Sequence, residues 1–391
     1  TAAAASLVTA QVQALSTRQV QAISTANVAA MSSTQLSALT TGQVSALTTA
    51  QVVALETSDV AALSTGQVTA LTTGQVNVLE TADIAAMSTG QVAALSTAQV
   101  QALSNGNVTA LSTSQVQAMG TAQVNALSTA QVVAMTTGQV ASLTAAQVKG
   151  MSTDQVKALE NADVQVLNAT QIKALTTAQV NVLGTDQVQS LSASTIKALT
   201  TGQVAALSTA QVAALTTTQA SDLASTTVVA LSSNQVNALG TAQVGALSKV
   251  AVAALTTGQV AGLSSTVLRA LTTDSVAALT NDQVQALTTT SVSVMTTGQV
   301  KALESGDIAV LSSAQVGALT TTQVGALGTA QVAALTSSEA AALTTTQVQA
   351  LSTAQVKALE VGDLAAMTTV QVAALTTTQV GALTAAQVSN L

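Results

Sequence analysis

Five pairs of carboxylates stand out in a chain of which only 6% is charged. Each is a Glu followed three residues later by an Asp: Glu56 and Asp59, Glu80 and Asp83, Glu160 and Asp163, Glu304 and Asp307, Glu360 and Asp363. Two carboxylates so placed could give a Ca²⁺ ion two oxygen ligands, with hydroxyls and carbonyls completing the shell that a hard cation requires. The competing reading is structural. An acid in the first turn of a helix gains about 0.3–1 kcal/mol from the dipole, while two carboxylates ~5–6 Å apart in water repel by about 0.7 kcal/mol. No cation is needed to balance that. Lys157, Lys301 and Lys357 lie three residues before Glu160, Glu304 and Glu360 and are expected to pair with them. The five pairs are irregularly spaced along the chain, which predicts that they do not line up as a continuous metal-binding edge. The sequence therefore favours a structural variant, with neither metal nor cofactor.

Other chemistry has few carriers. The 391 residues include no His, Cys, Tyr, Trp, Phe or Pro. Without His or Cys there is no ordinary general base near neutral pH, no thiolate and no nitrogen or sulfur metal ligand. Ser and Thr are abundant, but no Lys or acid is grouped with them as an activating base. A non-enzymatic role is expected. Nine basic against sixteen acidic residues give a net charge of -7, the wrong sign for the phosphate backbone, so nucleic acid is not an expected partner. The longest apolar run, residues 250–255, is far shorter than a bilayer span, which predicts no membrane insertion. The N-terminus has no basic stretch of the kind that opens a signal or transit peptide.

What must position the acidic pairs is a period of eight. From Leu7 in steps of eight to Leu391, all 49 positions are Leu, Met or Ile, and every one of the seven Met residues falls among them. Numbering each octad so that this position is slot eight, slot five is mostly Val, slot seven mostly Ala, and slots one and two mostly Ser or Thr. The acidic pairs fill slots one and four, at intervals of three, ten, eighteen and seven octads. The chain is thus one uninterrupted array of about 49 octapeptides over residues 1–391. A continuous helix does not fit, because its apolar stripe would rotate by about 80° per octad. Slot one is Ser or Thr in 36 of 48 octads and slot four is Gln in 34 of 48, the S/T-x-x-Q capping box repeated in register.

These signals predict an all-α solenoid, one capped helix per octad over slots two to eight, with Val and Leu stacked on one face. Slots three and six fall on the wet side, and seven of the nine cations are in slot six. Gln in slot four flanks the core and is expected to form a ladder of hydrogen bonds from rung to rung. A β-solenoid is the alternative, since Thr and Val favour strands. It would leave the slot-eight row facing out unless every octad also turned, and turn residues are scarce. One Val and one Leu bury ~3–6 kcal/mol against about 10 kcal/mol for ordering eight residues, so octads must stack. No alternation every two, three or four octads is evident, which points to a uniform screw of three or four octads per turn.

The array resembles the tandem S/T-x-x-Q-V-x-A-L repeats of very large, low-complexity bacterial surface and secreted proteins, described as adhesin-like. That resemblance implies an extracellular or cell-surface location. Locally, "LTTGQVAAL" at residues 199–207 is similar to the opening of the TAL-effector repeat, which implies a helix starting at the Thr after Leu. The base-reading residues and basic surface of that family are missing, so its DNA binding does not carry over. With no capping repeat at either end and few protease sites, the expected function is a structural rod, fibre or stalk built by self-association. The alternative is a surface-binding module in which regular Thr rows, as at Thr320-Thr321 and Thr344-Thr345, match a repeating solid such as ice.

Overall fold

The computed structural model describes residues 6–391. Among them are 48 helices of four to six residues, one per octad from Thr9–Ala14 to Ala385–Val388, and no strand. The fold is an all-α solenoid, and the β alternative is excluded. No helix is long and apolar enough to cross a membrane among the described residues.

The octad Ser152 to Leu159 shows why these residues turn as they do. Ser152 is extended (φ -72°, ψ 161°) and its hydroxyl accepts from the Gln155 N–H at 3.1 Å. The Gln155 carbonyl oxygen Oε1 accepts in return from the Ser152 N–H at 2.8 Å. Two of the donors that a helix start leaves orphaned are satisfied at once. The helix Thr153–Ala158 then ends at Leu159, which is extended (φ -58°, ψ 136°) and donates its N–H to the Val156 carbonyl at 3.3 Å. The helix is therefore one residue shorter than the sequence suggests: slot eight leaves the helix, because it and the following cap together form the extended link to the next helix. Six residues cannot hold a helix in water alone, so the fold depends on what each helix packs against.

The chain divides into two compact units, Thr1–Ala198 and Leu199–Leu391. In the first, each helix packs on the third one along, as Thr113–Ala118 does on Thr137–Ser142. Val and Leu of slots five and eight are buried, and slots three and six are mostly exposed. Slot-seven Ala is mostly half-buried at the margin of the core. Slot-six side chains also reach the third octad along: the Asn125 amide donates to the Gly150 carbonyl at 2.6 Å.

Slot-four Gln reaches a different octad. Gln155 Nε2 donates to the carbonyls of Val124 (2.9 Å), Asn125 (3.2 Å) and Leu127 (2.7 Å), four octads earlier. The ladder expected from the sequence exists, but its acceptors are backbone carbonyls at the end of an earlier helix. One amide thus caps the start of its own helix and the end of another. The second unit is built alike, with Thr297–Ala302 against Thr321–Ala326 and Gln323 Nε2 on Val292 (2.9 Å) and Met295 (2.7 Å). Since the neighbours on the next turn are the third and fourth octads along, one turn takes between three and four octads and two turns take about seven.

Candidate functional site

In the acidic octads the two carboxylates have separate fates. Asp in slot four is buried, between 2 and 4% exposed, whereas Glu in slot one is exposed. The Asp carboxylate accepts from the Glu N–H of its own octad, at 3.0 Å for Asp59 and Asp83, 3.1 Å for Asp163, 2.8 Å for Asp307 and 3.2 Å for Asp363. It thereby takes the accepting half of Gln's role. The Glu side chains accept no cap bond. Asp has no N–H to give, so the bond to the helix four octads earlier is lost. In two octads the spare oxygen turns to a slot-two serine: Ser33 Oγ donates to Asp59 at 2.8 Å and Ser337 Oγ to Asp363 at 3.2 Å.

Burial pushes the carboxyls of Asp163, Asp307 and Asp363 up from the ordinary Asp value. The cap N–H opposes that rise, and the neighbouring Glu charge adds to it. The charge felt by each is its own octad's Glu, and no lysine offsets it. The expected partnership does not form: no ion pair joins Lys157, Lys301 or Lys357 to Glu160, Glu304 or Glu360. Lys157 and Glu160 line one shallow cleft with Asp186, a residue of the third octad along.

The turn geometry bears on the expectation that the acidic pairs form no continuous edge. Glu56 and Glu80 are three octads apart, and Glu80 and Glu160 ten, which is one step of three and two further turns. Glu304 and Glu360 are seven apart, or two turns. Within each unit the acidic octads therefore fall on one side, but turns without a Glu–Asp pair separate Glu80 from Glu160 and Glu304 from Glu360, so no continuous edge forms. No group of three or more acidic side chains converges as a metal cage would require, among the described residues. The melting temperature is expected to be equal in chelator and in millimolar calcium. A rise of many degrees with calcium, abolished when the five Glu become Ser and the five Asp become Gln, would overturn the structural reading. Sequence reasoning passed over Glu339, the one Glu in slot four, whose place in the Gln series was the signal.

Short capped helices, joined turn to turn by one recurring side chain, define a tandem-repeat solenoid. The chain belongs to the ALTTAQ repeat family, whose model matches eleven stretches from 20–49 to 356–391, including an unbroken series over 52–249. Each match covers roughly four octads, about one turn, and neighbouring matches overlap, as 52–80 does with 76–113. A comparison with curated proteins gives no match.

Proposed function

We propose that this chain is a structural protein, a segment of an extracellular fibre or stalk of the adhesin-like kind that extends by self-association, with no catalytic role. The observation that carries this reading is the inter-turn bond. The same Gln amide meets the same helix-end carbonyls through both units, so the contact joining one turn to the next is head-to-tail and does not close on itself. An ice-matching surface is less well supported, because slot-one hydroxyls are already engaged as caps. Negative-stain imaging of the purified chain is expected to show filaments lengthening with concentration. Well-separated globular particles at every concentration would sink the proposal.

A further inference from the structure

Fourteen octads carry something other than Gln in slot four, and they are not scattered. In the first unit they are Asn27, Asp59, Asp83, Asn107, Asp163 and Thr195, separated by four, three, three, seven and four octads. Every step is one turn, except a single step of two. In the second unit Thr227, Ala251, Ser275, Asp307, Glu339 and Asp363 follow one another at three, three, four, four and three octads. Only Val267 and Ser291 fall off that line. Because octads three and four apart are neighbours on adjacent turns, the replacements stack into one seam along each unit. Across this seam Asn107 alone keeps an amide bond to an earlier turn, to the Leu79 carbonyl at 3.0 Å.

Glu339 is the seam residue with Gln's length and no amide. It is 2% exposed, and its Oε2 accepts from the Thr336 N–H at 2.6 Å, as Gln Oε1 does elsewhere. Its Oε1 is buried and has no partner. In the octads on either side the corresponding atom is a donor: Gln331 Nε2 bonds the carbonyls of Val300 (2.9 Å) and Leu303 (2.7 Å), and Gln347 Nε2 those of Val316 (3.1 Å) and Leu319 (2.6 Å). The counterparts for Glu339 are the carbonyls of Ile308 and Leu311. An ionised carboxylate there would meet only lone pairs, whereas a neutral carboxyl has one O–H to give.

We propose that folded Glu339 takes a proton from solvent and donates it to the carbonyls of Ile308 and Leu311, so that this rung of the seam closes on acidification and loosens when the proton leaves. The packed elements support this. The helix Ser313–Gly317 and the octad at 368–375 bring no titratable group, the helix Val361–Ala366 brings Asp363 with Glu360 at its cap, and the octad at 304–311 brings Glu304 and Asp307. All four are acids, and none can stabilise a second buried anion. Asp363 accepts from the Glu360 N–H on Oδ2 and from the Ser337 hydroxyl on Oδ1, so neither of its oxygens lacks a donor as Glu339 Oε1 does, and it is the member of the pair that keeps its charge. Burial raises the Glu339 carboxyl above the ordinary Glu value and the Asp363 charge adds to the rise, against the Thr336 N–H and hydroxyl.

The sign follows from linkage. A carboxyl whose folded pKa is raised binds more protons folded than unfolded, so its contribution is complete below the unfolded value, about 4.3 for Glu, and is lost as pH rises through the folded value. Glu339→Gln supplies a permanent donor in the residue that most octads use. The full-length chain and this variant are expected to melt together near about pH 4, with the variant ahead by several degrees at about pH 8. As pH rises, the infrared spectrum of the unsubstituted chain should keep, past the ordinary Glu value of about 4.3, a carboxylic-acid band that the variant lacks. A melting difference that does not change with pH, or a band unaffected by the substitution, would overturn the proposal.

Discussion

Replacing Gln155 by Leu is expected to destabilise the first unit by roughly 2–6 kcal/mol, as the cost of at least two buried polar groups left unmade. Leu fills nearly the same volume, so the loss comes from hydrogen bonds and not from a void. The Ser152 N–H loses its acceptor and the Leu127 carbonyl loses the amide that meets it at 2.7 Å. Val124 fares better, because its carbonyl also accepts from the Leu127 N–H at 3.2 Å. In a stack where each turn touches only its neighbours, the damage should be local. Hydrogen exchange is expected to quicken in the octads at 120–127 and 152–159 before it quickens far from them. Gln155→Asn should fall between, since Asn107 shows that a shorter amide keeps the slot-eight acceptor. If urea unfolding puts Gln155→Leu within about 0.5 kcal/mol of the parent, the size of an ordinary surface change, the amide does not hold the turns together.

Leu127→Ala is expected to cost about 2–5 kcal/mol, the range for emptying a well-packed Leu site. Leu127 is 5% exposed, one of the row of buried slot-eight side chains. Leu127→Met should cost less than about 1.5 kcal/mol, because Met already occupies this slot elsewhere with the same burial, as Met119 does at 4%. Equal destabilisation by Ala and Met in denaturant titration would show that slot eight demands Leu's shape and not merely its bulk.

The local structure was legible because it is written in side-chain chemistry. Ser152 and Gln155 spell the cap, Val156 and Leu159 the inward face, and Lys157 the wet one, and each sits where those residue types require. The end of the helix was misplaced by one residue, since Leu is as good a helix former as any and only the link to the next cap draws Leu159 out of it. The number of octads per turn was bracketed at three or four and not narrowed further, for another reason. The turn is not a whole number of octads, so a search for a fixed spacing of three or four fails on Asn27, Asp59 and Asp83, which are separated first by four octads and then by three. Lys157 misled because charge complementarity along the chain does not tell which way two exposed side chains extend.

The Gln amide always reaches back 28 to 31 residues, whatever its position in the chain. Against 391 residues that separation is about 0.07 to 0.08 of the length, in the range of the fastest-folding helical proteins. More turns would lower the fraction without lengthening any loop to be closed. An emerging octad therefore finds its whole binding site in chain the ribosome released moments earlier, and at ~5–20 residues per second a new turn can be laid down every few seconds. Length can grow in such a protein without slowing its birth.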